Sequence, residues 1–284
     1  MPAIEETLTC LRNAKALKTW KGWGYLRHAY EIALRWSTLN RGLKRQIFPG
    51  IYVRVSYESR HSIPVGFDAI RRWSIPSMDY VKKHMASDPE ACFLDVGAHH
   101  GLYSLAANCW TSGEGIIFAF EPHPDTVAIL KENLERNRCD RVTVVEKAVG
   151  AVCATMSLYG EAASTTTLLA SASAHYGHRS STQVEVTTLD EFCSKNKLTP
   201  TIIKIDVEGF EFEVLKGAAT ILSAVRDRIK IICEMHTFLW QNPEFDLEVM
   251  NYLKTYGLTV FNLDGTKAER IRDHEDYVIA ATFN

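Results

Sequence analysis

Residues 91–110 read ACFLDVGAHHGLYSLAANCW, and the folding of this stretch decides the rest of the chain. Residues 91–97 form a nearly unbroken apolar run, the pattern of a strand covered on both faces. Residues 102–110 carry apolar residues at helical spacing. Between them lie Gly97, Ala98, His99, His100 and Gly101. This glycine-framed turn leads into a helix N-terminus, where backbone can come close to a ligand. A strand, a glycine turn and a helix make the opening unit of a doubly wound α/β sheet.

The same alternation continues downstream. GIIFAFEP (115–122) reads as a second strand, DTVAILKENLERN (125–137) as a helix and RVTVVEKAV (141–149) as a third strand. TIIKID (201–206) and RIKIICEM (228–235) follow as fourth and fifth strands, and FDLEVMNYLKTYG (245–257) as a helix stopped by Gly257. The last two apolar runs, LTVFNL (258–263) and DYVIAATF (276–283), lie about a dozen residues apart, too close for a helical crossover. They are expected to pair antiparallel at the sheet's edge. The expected fold is a Rossmann-like, doubly wound, seven-stranded α/β sheet, mostly parallel with an antiparallel C-terminal strand. Residues 89–284 hold this domain, with an insertion at 151–190 read as two short strands flanking a loop. Residues 1–88 form a separate extension, with helical patterning around Trp20, Trp23 and Trp36, a strand-like run at 50–59 and a helix near 77–86.

Of the 284 residues 46% are hydrophobic and 23% charged, the balance of a globular protein with one full core. The net charge of −2 removes any global nucleic-acid signature, and no nucleic-acid partner is expected. The first 45 residues are locally basic, with nine Lys or Arg against three acids. Seven cysteines without a CxxC or zinc spacing fit reduced thiols in the cytoplasm. No apolar run approaches the roughly 20 residues of a membrane span.

Acids mark the ends of the strands. Asp95 precedes the first glycine by two residues and can orient the turn. Glu121 ends the second strand, where an acid accepts hydrogen bonds from both ribose hydroxyls of a nucleoside cofactor. Packing alone does not account for a single acid after IIFAF. Ala148, after the third strand, falls near the adenine by the same geometry. GAHHG lacks the G-x-G-x-x-G of a dinucleotide site, and no Lys-Ser/Thr follows it as in a phosphate-cradling loop.

Three blocks, FLDVGAHHGLYSL, FAFEPHPDTVAILKENLERN and TTLDEF…IIKIDVEGFEFEVLKGA, make the chain resemble the FkbM family of S-adenosylmethionine-dependent methyltransferases. The resemblance runs from Phe93 to Gly217 and more weakly to His236. It implies a class I methyltransferase fold and S-adenosylmethionine as cofactor. Asp95, Gly97, Ala98, His99 and Gly101 then form the cofactor turn, with Glu121 and Pro122 at the ribose and Asp206 near the methyl. The family pattern has Asn where this chain has His99.

Transfer of a methyl group to a hydroxyl needs alignment and removal of a proton. Asp206 and Glu208 follow the fourth strand, and Glu234 and His236 the fifth, so all four converge if those strands are neighbours. His236 is the candidate general base, with Glu234 or Asp206 orienting it or holding the acceptor, and Lys204 on the strand behind. Glu211 and Glu213 read as first-turn helix acids favoured by the dipole. Asp206, Glu234 and His236 also offer ligands for Mg²⁺. The resemblance implies O-methylation of a small metabolite, such as a sugar or polyketide. The chain has DVEGF, not a Pro-Pro-aromatic turn, after the fourth strand. Residues 1–88 and the loop near 160–182, with His175, Tyr176, His178 and Arg179, are expected to line the acceptor pocket, and a homo-oligomer is compatible with the extension. The alternatives are a nicotinamide-dependent oxidoreductase and a protein that binds a polyanion or partner through its basic N-terminal segment.

Overall fold

The computed structural model describes residues 43–48, 51–55, 75–160, 166–177, 180–225, 228–240, 244–273 and 275–283. The N-terminal tryptophans, His178 and Arg179 lie outside them, and His175 and Tyr176 are described as backbone only. Two compact units divide after Ile75. In the first, β1 (Leu43–Phe48) and β2 (Ile51–Val55) form an antiparallel hairpin. The expected strand at 50–59 is therefore the second arm of a hairpin. The helix expected at 77–86 is α1 (Ile75–Ser87), most of which belongs to the second unit, Pro76–Asn284.

The second unit is built on a seven-stranded sheet of order β11-β12-β10-β9-β3-β4-β5. Its strands are β3 (Cys92–Val96), β4 (Ile116–Phe120), β5 (Val142–Val145), β9 (Ile202–Ile205), β10 (Lys230–Met235), β11 (Thr259–Asn262) and β12 (Glu275–Ala280). β5, β4, β3, β9 and β10 run parallel, and β12 is antiparallel to both of its neighbours. The last two strands pair as expected, but β12 sits between β10 and β11, so β11 is the edge. The crossover from β10 through α8 (Phe245–Thr255) skips one position, and the returning strand fills it.

Apolar strands separated by helices give this sheet because alternate side chains leave opposite faces. Leu94, Ile203, Ile231 and Ile279 pack with Val214, Leu222, Val249 and Leu253 on one face. Phe93, Ile202, Ile232 and Val278 pack with Val81, Met85 and Ala107 on the other. These helical residues come from α6 (Glu211–Lys216), α7 (Ala219–Val225) and α8 on the first face, and from α1 and α2 (Leu102–Trp110) on the second. Each fully buried Leu, Ile or Phe stabilises by about 1.5–3 kcal/mol. Burial on both faces holds the central strands, and with them the strand ends that carry the site, in place.

The run 141–149 is not one strand. It breaks at Glu146–Lys147, where the Lys147 N–H turns back to the Val145 carbonyl, and Ala148–Val149 (β6) leaves for a second, three-stranded sheet. There β6 pairs with β8 (Ser181–Thr187), which pairs antiparallel with β7 (Ala154–Tyr159). These are the two strands expected in the insertion, and α4 (Ala170–Tyr176) lies between them in sequence. Helices α3 (Pro124–Arg136) and α5 (Leu189–Asn196) complete the unit. Among the described residues no helix is long and apolar enough to cross a membrane.

Candidate active site

The turn after β3 is fastened to two other strands. The Gly97 and Ala98 N–H groups both donate to the Phe120 carbonyl at the end of β4, at 3.0 and 2.9 Å. Gly97 has φ +83°, and a Cβ there would stand 1.9 Å from the backbone oxygen of Asp206 at the end of β9. The glycine therefore makes room for a neighbouring strand end, where the sequence suggested room for a ligand. Asp95 is buried, and its Oδ2 accepts from the Ser104 hydroxyl at 2.5 Å, which orients the first turn of α2. Burial raises the Asp95 carboxyl to about 6, against the lowering effects of Ser104 and the Lys204 charge.

Glu121 is 4% exposed and takes one backbone N–H on each oxygen: His123 on Oε1 and His99 on Oε2, both at 3.0 Å. It thus clamps the β3 turn, where His99 has φ +51°, to the entry of α3. Burial pushes Glu121 up to about 7, while the two N–H donors work in the opposite direction. The cap of α3 is neither Glu121 nor Asp125, because His123 Nδ1 accepts from the Asp125 N–H. Ala148 packs with Leu158, Val186 and Phe210 in the apolar cluster of the small sheet.

At the C-terminal ends of β9 and β10 the structure brings together Lys204, Asp206, Glu208, Glu234 and His236, as the sequence suggested, and adds Glu211, Asp276 and Tyr103. Asp276 arrives because β12 is antiparallel, so its first residues lie at the edge where the parallel strands end. It stands opposite Glu234 in register. Like charges facing each other across strands destabilise unless a cation intervenes, and Lys204 supplies one. Its Nζ lies 3.2 Å from Asp276, 3.9 Å from Asp206 and 3.9 Å from Glu234, and 5.2 Å from the centre of the Tyr103 ring. Burial by itself would lower the Lys204 ammonium. The charges of Asp276 and Asp206 outweigh that and hold it well above the usual lysine value.

His236 is the second buried cation. Its Nδ1 lies 2.8 Å from Glu211 Oε1, and its Nε2 lies 3.3 Å from Glu208, 3.9 Å from Glu234 and 4.0 Å from Asp206. Burial opposes its charge, but the bond to Glu211 and the nearby acids raise it to about 10. Glu211 does open a helix, as its spacing implied, but it is wholly buried. Its Oε1 also accepts from the Gly209 N–H at 2.8 Å. Glu208 and Gly209 occupy left-handed backbone, and the Thr167 hydroxyl donates to the Glu208 carbonyl at 2.9 Å, tying the insertion to this turn. Asp206, Glu208 and His236 bring three ligand-type atoms within 4.8 Å of one another, but a protonated His236 has no lone pair for a metal, and the expected Mg²⁺ set of Asp206, Glu234 and His236 gains no support from this geometry.

Sequence reasoning missed Asp276 and the burial of Glu211. The signal for Asp276 lay in the antiparallel closing pair, which returns the start of the last strand to the ligand edge. Nothing in FEFEV marked Glu211 as different from Glu213.

Five parallel strands with an antiparallel strand inserted beside the edge define the class I methyltransferase fold, and acids gather where its parallel strands end. The chain belongs to the methyltransferase FkbM domain family, whose profile matches residues 95–259. It is 29% identical over 191 residues to the hexuronic acid methyltransferase AglP of Haloferax volcanii, covering 67% of this chain and 70% of that protein. Among solved structures it is similar to the methyltransferase FkbM of Methylobacillus flagellatus KT, with 18% identity, a TM-score of 0.44, and 75% of this chain and 60% of that one covered. A SAM-dependent methyltransferase from Agrobacterium tumefaciens gives 10% identity and a TM-score of 0.47, covering 84% of this chain and 70% of that one.

Proposed function

We propose that the chain transfers the methyl group of S-adenosylmethionine to a hydroxyl of a small metabolite, a sugar or sugar acid being the favoured class. The observation that carries this reading is the meeting of Asp206, Glu208, Glu234 and His236 at one strand edge, with the Gly97–Gly101 turn packed through Gly97 closely against the Asp206 backbone. The curated relative is named for a hexuronic acid, which supports the sugar class.

The residues fit the cofactor. Each Glu121 oxygen uses one lone pair on a backbone N–H and keeps another for a ribose hydroxyl. The left-handed turn through His99 and Gly101 leads into α2, and Asp95 keeps that turn in place through Ser104. When bound, S-adenosylmethionine supplies an electrophilic methyl on a positively charged sulfur. The chain's task is then to hold the acceptor oxygen in line and to receive its proton. The acidic edge formed by Asp206 and Glu234 suits a cationic neighbour.

Titration calorimetry with S-adenosylhomocysteine and with NADH tests the cofactor. Binding of the first and silence of the second are expected, with a loss of at least about tenfold in Glu121→Ala, in keeping with one or two charge-assisted hydrogen bonds. Transfer of labelled methyl from S-adenosylmethionine to glucose, glucuronic acid and a phenol then sorts the acceptor class. A folded protein that gives heat with NADH and none with S-adenosylhomocysteine would refute the reading.

A further inference from the structure

Resting on the methyl-transfer reading, the insertion acts on the acidic edge through one buried side chain. After β9 the backbone turns through Glu208 and Gly209, both left-handed, at φ +54° and +98°. Glycine enters that region freely, but a glutamate there is disfavoured and persists only where its surroundings hold it. Thr167 of the insertion, 1% exposed, supplies such a hold. Its hydroxyl donates to the Glu208 carbonyl at 2.9 Å and accepts from the Leu169 N–H at 3.1 Å. Its backbone is pinned in turn at the end of β7, where Thr167 and Tyr159 exchange N–H to carbonyl bonds of 3.0 and 2.9 Å.

We infer that Thr167 is a positioning residue, through which the insertion keeps the Glu208–Gly209 turn left-handed and so sets where the Glu208 carboxylate stands at the ligand edge. Thr167 need touch neither substrate nor cofactor, because its buried hydroxyl works through the backbone of Glu208. A backbone rotation at Glu208 redirects its Cα–Cβ bond, and the carboxylate that stands 3.3 Å from His236 Nε2 moves with it.

Two further contacts make this turn a junction. A Cβ on Gly209 would stand 2.7 Å from Leu239 Cδ1 and 3.0 Å from Leu169 Cδ1. The turn thus fits between a leucine of the insertion and a leucine of the 3₁₀ turn Thr237–Leu239, which follows His236 directly. The Gly209 N–H donates to Glu211 Oε1 at 2.8 Å, the oxygen that also lies 2.8 Å from His236 Nδ1. The cofactor turn has separate fastenings, to the Phe120 carbonyl and to Glu121. Loosening Thr167 should therefore disturb the acidic edge and spare the cofactor turn.

Amide hydrogen exchange followed by NMR tests this without any substrate. Thr167→Val keeps the shape of the side chain and removes the donor. Exchange of the Gly209 amide should quicken by about 2–10-fold, as the loss of one hydrogen bond allows, while the amides of β9 and β10 keep their wild-type rates. Thr167→Ser restores the hydroxyl and should bring the Gly209 amide back to within about twofold of the wild type. An unmoved Gly209 amide, or an equal quickening throughout β9 and β10, would overturn the assignment. If Thr167→Val does not fold, Thr167→Ala takes its place, because it removes the same donor without setting a methyl against the carbonyl, and an unmoved rate there is equally fatal. With an acceptor found among the sugars above, Thr167→Val should lower kcat by about 10–100-fold, the effect of a displaced group at the site. Thr167→Ser should recover most of that rate, and both variants should hold S-adenosylhomocysteine affinity within about twofold. Full turnover alongside a loosened turn, or an affinity that falls as far as kcat, would also overturn the role. Absence of S-adenosylhomocysteine binding by the wild type would instead defeat the methyl-transfer reading and leave the exchange result standing.

Discussion

Replacing Gly97 by alanine puts the junction between the cofactor turn and the acidic edge to a direct test. At φ +83° the added Cβ costs about 1–2 kcal/mol from backbone conformation alone. The same carbon would sit 1.9 Å from the Asp206 carbonyl oxygen, where real contacts stay beyond 3.0 Å, so the end of β9 must retreat by more than 1 Å. That retreat strains the 3.0 Å bond from the Asp206 N–H to the Val96 carbonyl, a further ~0.5–1.5 kcal/mol. The expected loss is roughly 1.5–3.5 kcal/mol, the sum of those terms. Gly177→Ala is the control, because Gly177 also has positive φ (+70°) but a Cβ there meets nothing within 4 Å. Urea unfolding of both variants separates conformation from collision. Gly97→Ala should lose about 0.5–1.5 kcal/mol more than Gly177→Ala, the share due to the displaced strand end. Equal losses would refute the claim that this glycine exists for the sake of Asp206.

Other consequences can be measured together. In Glu211→Gln the amide oxygen still accepts from His236, but the charge is gone, so the ring's titration midpoint, followed by NMR, should fall from about 10 toward the usual histidine range. An unchanged midpoint would remove Glu211 as the holder of that proton. Asp95, Glu121, Glu234 and His236 all have values raised by the fold. A raised group stabilises fully below its unfolded value, and that contribution fades as pH climbs through the folded one. For the three carboxyls the fading spans about 4 to 8, and for His236 about 6.5 to 10. Below about pH 6.5 the lowered values of His84, His100 and His123 work in the opposite direction. The melting temperature of the ligand-free protein should therefore decline from pH 7 to pH 9, and a flat or rising profile over that range would contradict the burial of these groups. Asp246→Ala removes the partner of Arg270 and of the Ile271 N–H and should cost about 1–3 kcal/mol in urea unfolding.

The parallel core was legible because strands buried on both faces leave unbroken apolar runs, as in IIFAF and TIIKI. The edge position of β11 was not, since two runs separated by a short polar stretch pair in the same way whichever lies outside. The break at Glu146–Lys147 was hidden for a related reason: VTVVEKAV alternates plausibly straight through it. Strand ends exposed Asp95, Glu121, Asp206 and Glu234 to sequence reasoning, because a charge closing an apolar run stands out. Charge state was beyond reach. Whether His236 is a base or a cation depends on which oxygens face its two nitrogens, and those belong to Glu208 and Glu211, which sit beside Glu213 in one acidic string.

The placement of β12 also bears on how the molecule is made. Until residues 275–280 have left the ribosome, β10 has an open flank, Lys204 lacks its nearest counter-ion, and β11 has no partner within the sheet. A nascent chain at that stage carries a nearly complete fold with a bare strand edge, the kind of surface on which chaperones and proteases act. Inserting the final strand covers the edge and completes the charge cluster in one event. Sealing of the β10 flank and neutralisation of the buried Lys204 are thus one structural event.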